Sequence, residues 1–412
     1  MSSTQPARPV SGALRVVMVS MHTSPVASPG SADAGGMNVV EVNSAKALAA
    51  RGHRVDMLTR RDAPDLAAVA EVAPGVRLFN LAAGPAAAVA KSQQEELIEP
   101  FRAAMAHWWR SHGAGVDIVH SHHWFSGVAA LSIAQSAGLP HLQSYHSVAA
   151  PVGASLDAGE PPESEGRPAG ERLVAEQSQR IVAVSDAEAR TVAQRYGTSA
   201  DRISVVRPGV DHDLFRPLRR GEQHWAWQGD YLFFAARLQP LKGPDLAVRT
   251  LAALPPGRRP RLVIAGQASV DFSWYAQELR DLADELGVAD EVLYIGSQDR
   301  DQLATVLRGA CLLLNPSRSE TYGLINLEAS ASGVPVIATR AGGMVESVDD
   351  QVTGVLLDSR DPAVWAEAVQ EFLNHPDRRA RFGQAGRAFA AQRGWDVVAA
   401  ELEAVYRKEA RR

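Results

Sequence analysis

Two glutamates, Glu320 and Glu328, stand eight positions apart in Asn315-Pro-Ser-Arg-Ser-Glu-Thr-Tyr-Gly-Leu-Ile-Asn-Leu-Glu328. Apolar runs at 312–314 and 334–338 flank them and read as buried strands. The helix between starts at Gly323 and stops at Gly333, before Pro335. One acid thus falls in the loop at a strand's carboxyl end and the other on the helix that follows. An ionised carboxylate only accepts hydrogen bonds and sugar hydroxyls donate them, so the pair suits a hydroxyl-rich ligand. A capping acid and a solvated helix acid would give the same spacing, which alone does not separate the two. Arg237 and Lys242, five positions apart, lie in the turn after the apolar run 231–236. A guanidinium fork and an ammonium point charge at a strand end suit a diphosphate; the plain alternative is two loop cations. With Glu320 and Glu328 on the same half, the joint pattern favours a nucleotide-sugar site. His146 ends a strand of the other half and faces the same cleft, although alone it would read as a satisfied half-buried histidine. Gly35-Gly36 leave bare N–H groups before a helix, a place for phosphate or simply a tight turn. The cluster Ser121-His-His-Trp124 lacks acids and cysteines at ligand spacing, and no metal is expected there.

These residues need a scaffold that ends strands at one edge. Strands read at 14–20, 53–59, 76–81, 116–120, 142–147, 180–185 and 203–206, with helices between, including 39–51 and 93–109. The stretch 151–170 is rich in Pro, Gly and acids and reads as a mobile loop. A Pro-bearing linker at 207–217 follows, and the pattern restarts with strands at 231–236, 261–265, 292–295 and 355–357 besides the two named above. The expected division is a disordered tail 1–12, an acceptor domain 13–212, a donor domain 213–385, and terminal helices 386–412 packing back on the first half.

A chain of 412 residues is too long for one ordinary core. Its 46% hydrophobic and 22% charged residues are ordinary for a globular protein, and a net charge of -5 argues against bulk nucleic-acid binding. The single cysteine, Cys311, excludes an intramolecular disulfide. No secretion signal or membrane span is legible, so a cytoplasmic setting without a membrane partner is expected.

Gly35-Gly36, Arg237 with Lys242, and the Glu320-x7-Glu328 element together resemble the retaining glycosyltransferases of family 4, from about Arg15 to Trp395. The resemblance implies an α/β GT-B fold, two Rossmann-like domains facing a deep cleft. More narrowly, Met21-His-Thr-Ser-Pro25, Asp33-Ala-Gly-Gly-Met-Asn38, His120-Ser-His-His-Trp124 and Arg237-Leu-Gln-Pro-Leu-Lys-Gly-Pro244 resemble one branch. That branch moves N-acetylglucosamine from its UDP donor to 1D-myo-inositol 3-phosphate in mycothiol synthesis. By this resemblance Arg237 and Lys242 neutralise the departing diphosphate, Glu328 holds the ribose, and Glu320 holds the donor sugar's hydroxyls. Tyr322, Gly323 and Leu324 join the donor site. Gly35, Gly36 and Asn38 approach the distal phosphate or the acceptor, and His146 contacts the sugar's primary hydroxyl and reacting carbon. Lys91 and Arg167 stand where the branch has its acceptor-phosphate cations, with His22 and Asn38 nearby. His123 and Ser147, however, stand where it has Tyr and Thr. Both keep a hydrogen-bond donor, yet these are positions where a paralogue with another acceptor would differ. An antibiotic precursor, a cyclitol or a small thiol such as ergothioneine, with a GDP-sugar donor, therefore stays open.

The implied chemistry is front-face substitution with retention, the leaving diphosphate taking the acceptor's proton. The nucleotide sugar is a co-substrate and no cofactor is required; magnesium is compatible but not implied, as is a homodimer. Two rivals remain. A sugar-nucleotide epimerase of GT-B shape would act on the donor without acceptor, and a sugar-nucleotide sensor would bind it without transfer.

Overall fold

The computed structural model describes residues 12–27, 34–150, 164–219, 221–222, 225, 229–268 and 272–410. The expected tail, save Gly12, and the first part of the expected loop, 151–163, lie outside the described residues, as does Asp33. Short Val-, Leu- and Ile-rich runs separated by helices pair in parallel, because a helical crossover returns the chain to the same end of the sheet. The first sheet contains β1 (Arg15–Ser20), β2 (Arg54–Arg60), β3 (Val69–Ala73), β4 (Val76–Leu81), β5 (Ile118–His122), β6 (His141–Ser144), β7 (Arg180–Ala183) and β8 (Ile203–Val205). Their order is β3-β4-β2-β1-β5-β6-β7-β8, and only the β3–β4 pairing is antiparallel. The second contains β9 (Tyr231–Ala235), β10 (Arg261–Ala265), β11 (Val292–Gly296), β12 (Leu312–Asn315), β13 (Val336–Thr339) and β14 (Gly354–Leu357). It is parallel throughout, in the order β11-β10-β9-β12-β13-β14.

Each sheet begins at its middle strand. β1 lies between β2 and β5, and β9 between β10 and β12, so the winding reverses at β1/β5 and at β9/β12. The crevice beyond the strand ends at such a reversal is where an open α/β sheet binds ligands. Alternation along the second sheet sends Leu232, Phe234 and Ile264 into one apolar layer and Phe233, Val263 and Leu313 into the other.

Two expectations need correction. β3 was not anticipated: Val-Ala-Glu-Val-Ala is Ala-rich and largely exposed, and a hairpin through Gly75 at φ 81 creates it. The stretch 151–170 is not loop to its end, because α4 (Arg167–Gln177) begins within it. Pro168 sits in that helix's first turn, where a missing N–H costs no bond.

α12 (Pro376–Ala390) stays on the second sheet, contributing Phe382 to one layer and Ala390 to the other. α13 (Trp395–Ala410) crosses back, where Leu402 and Tyr406 join Met18, Leu48 and Leu142. Arg180 Nε donates to Glu409 Oε1 at 2.6 Å, and Val210 bridges Gly394, so the outgoing and returning connections run side by side. Among the described residues, no helix is long and apolar enough to cross a membrane.

Candidate active site

From the first lobe, β1 leads to His22 and, past the residues outside description, to α1 (Gly36–Ala50). Asn38 Oδ1 accepts the Gly35 N–H at 2.9 Å, and its amide nitrogen donates to Thr23 Oγ1 at 3.1 Å and to the Ser24 carbonyl at 2.8 Å. Asn38 therefore ties the helix start to the β1 loop. No acid stands in the helix's first turn, so its positive end is unscreened by its own side chains. A Cβ added at Gly35 or Gly36 would meet nothing within 4 Å. The space beside these glycines is cleft, not core.

From the second lobe, β9 runs into Arg237 and then a 3-10 turn, Pro240–Lys242. Gly243, at φ 69, seats that turn against the loop after β12, where a Cβ would lie 2.4 Å from the Pro316 carbonyl oxygen. The Lys242 ammonium thereby reaches Glu320 Oε1 at 2.7 Å, which also accepts from Ser317 Oγ at 3.1 Å. Glu328, on α9 (Leu324–Ala331), is 2% exposed. Its Oε1 accepts from Arg300 Nη2 at 2.6 Å, and the guanidinium of Arg300 lies 4.6 Å from the Phe215 ring centroid. Burial raises the Glu328 carboxyl above its ordinary value, against the pull of Arg300.

Two adjoining cavities of about 820 and 800 Å³, open to solvent, fill the space between the lobes. Gly35, Gly36, Arg237, Lys242, Glu320, Gly323 and Leu324 line both; Glu328 and Arg300 line only the first. The second adds His22, Asn38, Lys91, His123, His146, Ser147 and Tyr322. The Tyr322 residue is only 3% exposed and its ring belongs to the second lobe's core. Of the anticipated set, only Arg167 does not line either cavity. It stands behind Ser147, donating to that residue's carbonyl and hydroxyl oxygens at 3.0 Å each and to Glu171 Oε1 at 2.7 Å.

His146 has left-handed backbone, φ 57. Near it the Glu188 carboxylate accepts the Val184 main-chain N–H at 2.7 Å, and burial pushes Glu188 up to about 7. The ring nitrogen Nε2 of His146 lies 2.8 Å from His122 Nδ1, and burial lowers His146 to about 3. Thr321 Oγ1 donates to the His146 carbonyl at 3.0 Å, a bond between lobes. Sequence reasoning missed Arg300, Thr321 and Glu188, and did not pair His122 with His146. Only Arg300 and His122 left a local signal, each standing where a strand end meets a helix start. Among the described residues, no group of three or more His, Cys, Asp or Glu side chains is disposed to hold a metal ion.

Comparison with known proteins gives consistent matches. Residues 34–214 match a family model described as Glycosyltransferase Family 4, and residues 219–389 one described as Glycosyl transferases group 1. D-inositol 3-phosphate glycosyltransferase of Nocardiopsis dassonvillei is 39% identical over 95% of this chain and 94% of its own length. Sucrose-phosphate synthase of Thermosynechococcus elongatus superposes with a TM-score of 0.86 at 28% identity, covering 96% of this chain and 98% of that one. HepE of Anabaena, in complex with UDP-glucose, gives 0.73 at 17% identity over 95% and 99%, a likeness of fold.

Proposed function

The chain belongs to the family-4 glycosyltransferases of GT-B fold and is a hexosyltransferase, and from that premise we propose that it transfers a sugar, with retention, from UDP-N-acetylglucosamine to 1D-myo-inositol 3-phosphate. The observation that carries the reading is one shared space walled by Arg237, Lys242 and the unscreened start of α1, with Glu320 and Glu328 beside it. Residues 13–212 hold the acceptor in this reading and 213–385 the donor, while 386–412 return to the first lobe. The diphosphate lies against Arg237, Lys242 and the N–H groups near Gly35 and Gly36. Because Lys242 and Glu320 hold each other at 2.7 Å, the diphosphate shares the ammonium with the acid that orients the sugar.

As the anomeric bond breaks, negative charge grows on the leaving phosphate oxygen. Each charge-assisted contact there supplies about 2–4 kcal/mol. That oxygen takes the proton of the attacking hydroxyl, which approaches from the same face and gives retention. His146 presents its unbonded ring edge to the sugar, and the main chain around Tyr322, Gly323 and Leu324 adds donors. Closure of the lobes excludes water and limits donor hydrolysis. The acceptor phosphate sits near Lys91, His123 and Ser147, with Arg167 acting through Ser147.

The resemblance itself favours a second reading, since by it His123 and Ser147 stand where the inositol-phosphate branch has Tyr and Thr. A natural-product acceptor (a cyclitol, an antibiotic precursor or a small thiol) with a GDP-sugar donor fits that departure. The test is a donor and acceptor screen read by mass, starting with UDP-N-acetylglucosamine and inositol 3-phosphate, with the product anomer assigned by NMR. An inverted anomer rejects the mechanism. Donor conversion without acceptor would point to an epimerase, and donor binding without conversion to a sensor.

A further inference from the structure

His123 opens α3 (His123–Ser136) in left-handed backbone, φ 66, with 2% of its surface exposed. Among the described residues neither of its ring nitrogens has a hydrogen-bond partner. Its ring centroid lies 4.2 Å from that of His22, tilted 36°, and His22 Nδ1 is likewise buried without a partner. Unpaired buried polar atoms are costly, and an apolar ring would fill the same volume without that cost. Positive groups surround the pair. Lys91 faces it from the 3-10 turn Lys91–Leu97, Arg167 lies behind Ser147 on α4, and Arg237 faces His22 from the second lobe, while burial lowers the His146 ring beyond β6 to about 3, so that it adds no charge near neutrality. Glu320 is the one acid among the described residues that line this cavity, and Lys242 already holds it. Glu171 pairs with Arg167 behind the wall. Burial first, and then these cations, keep both imidazoles neutral well below their ordinary titration range.

We propose that His123 and His22 form a proton-coupled clamp for an anionic group of the acceptor. When the anion enters, one imidazole takes a proton from solvent, becomes imidazolium, and donates its N–H to an anion oxygen. The inference rests on the reading that this cavity receives an anionic acceptor, and adds that its affinity is tied to pH. Two rings 4.2 Å apart carry one charge more readily than two, so each anion brings at most one proton. Affinity then falls with rising pH by up to about tenfold per unit while the site is protonated only when occupied. A tyrosine in the place of His123 would give a neutral hydrogen bond with no such slope near neutrality.

Inorganic sulfate, which does not titrate near neutrality, is the probe. It is titrated into the full chain by calorimetry at pH 6 and pH 8, in buffers of different ionisation enthalpy. The expected result is uptake of about one proton, weaker binding at pH 8, and loss of most of the uptake in His123→Asn. Asparagine tolerates left-handed backbone; His22→Gln, expected to lower the uptake as well, serves as the second variant, with melting curves to check the fold of both. Sulfate binding without proton uptake, or with uptake unchanged in both variants, overturns the clamp and spares the anionic-acceptor reading. No sulfate binding at either pH overturns both.

Discussion

Replacing Arg300 by methionine should make the second lobe increasingly unstable, relative to wild type, as pH rises. Glu328 is 2% exposed and its Oε1 receives Arg300 at 2.6 Å, while burial holds its carboxyl above the ordinary value. An acid whose folded pKa exceeds its unfolded value binds its proton more tightly in the native state. The native state is therefore favoured at low pH and loses ground as pH climbs from the unfolded value through the folded one. Arg300 opposes the burial effect, so removing it raises the folded pKa further and extends that loss upward in pH. Breaking a buried pair costs about 3–5 kcal/mol. The Arg300 side chain is 25% exposed, which places the expected loss at the low end, about 3 kcal/mol at pH 8. Well below the ordinary carboxyl range the acid is neutral in both proteins, and only altered packing over Phe215 remains, which the methionine stem limits. Calorimetric unfolding of wild type, Arg300→Met, Glu328→Gln and the double variant across this range measures the effect. The penalty should grow with pH and be largely relieved by adding Glu328→Gln. A penalty equal at every pH, or undiminished in the double variant, would refute the pairing.

Lys242→Ala and Glu320→Ala should each lower kcat at least about a hundredfold, by loss of a charge-assisted contact to the reacting donor, with melting temperatures near wild type. Wild-type turnover in both would reject the site. Gly36→Ala should leave the fold intact, because its Cβ meets nothing within 4 Å, yet raise the donor KM at least about tenfold by filling the place of a phosphate oxygen; an unchanged KM would remove the helix start from the donor site. Glu346 accepts the Asp186 and Ala187 N–H groups at 3.0 Å each, at the start of the first lobe's α5 (Asp186–Tyr196), and Arg207 Nε at 2.9 Å. Glu346→Ala should open the lobes, seen as a larger radius of gyration by X-ray scattering, and lower kcat/KM about tenfold. No change in either quantity would show that this contact does not govern closure.

The two-lobed α/β architecture was legible in the chain because its signals are local. Runs such as Leu312-Leu-Leu, followed by a glycine-bounded helix, specify strand and helix within a dozen residues. Parallel winding then dictates that Arg237, Lys242 and Glu320 leave strand ends on the same side. Local signals failed where pairing rather than periodicity makes the element. β3 exists only as the exposed partner of β4, and Pro168, in the stretch read as loop, lies in a helix's first turn.

Residue types and spacing by themselves determined the fold class and which cations and acids stand beside a cleft; the strand order, and with it the reversal points, came from the sheets. The tertiary structure alone decided how those groups are satisfied. It joins Glu328 to Arg300, His122 to His146, and Thr321 to a carbonyl 175 positions away, and it leaves the nitrogens of His123 without partners among the described residues. Burial, and with it the proton affinity of each group, depends on packing between segments distant in the chain. No spacing within one segment encodes that.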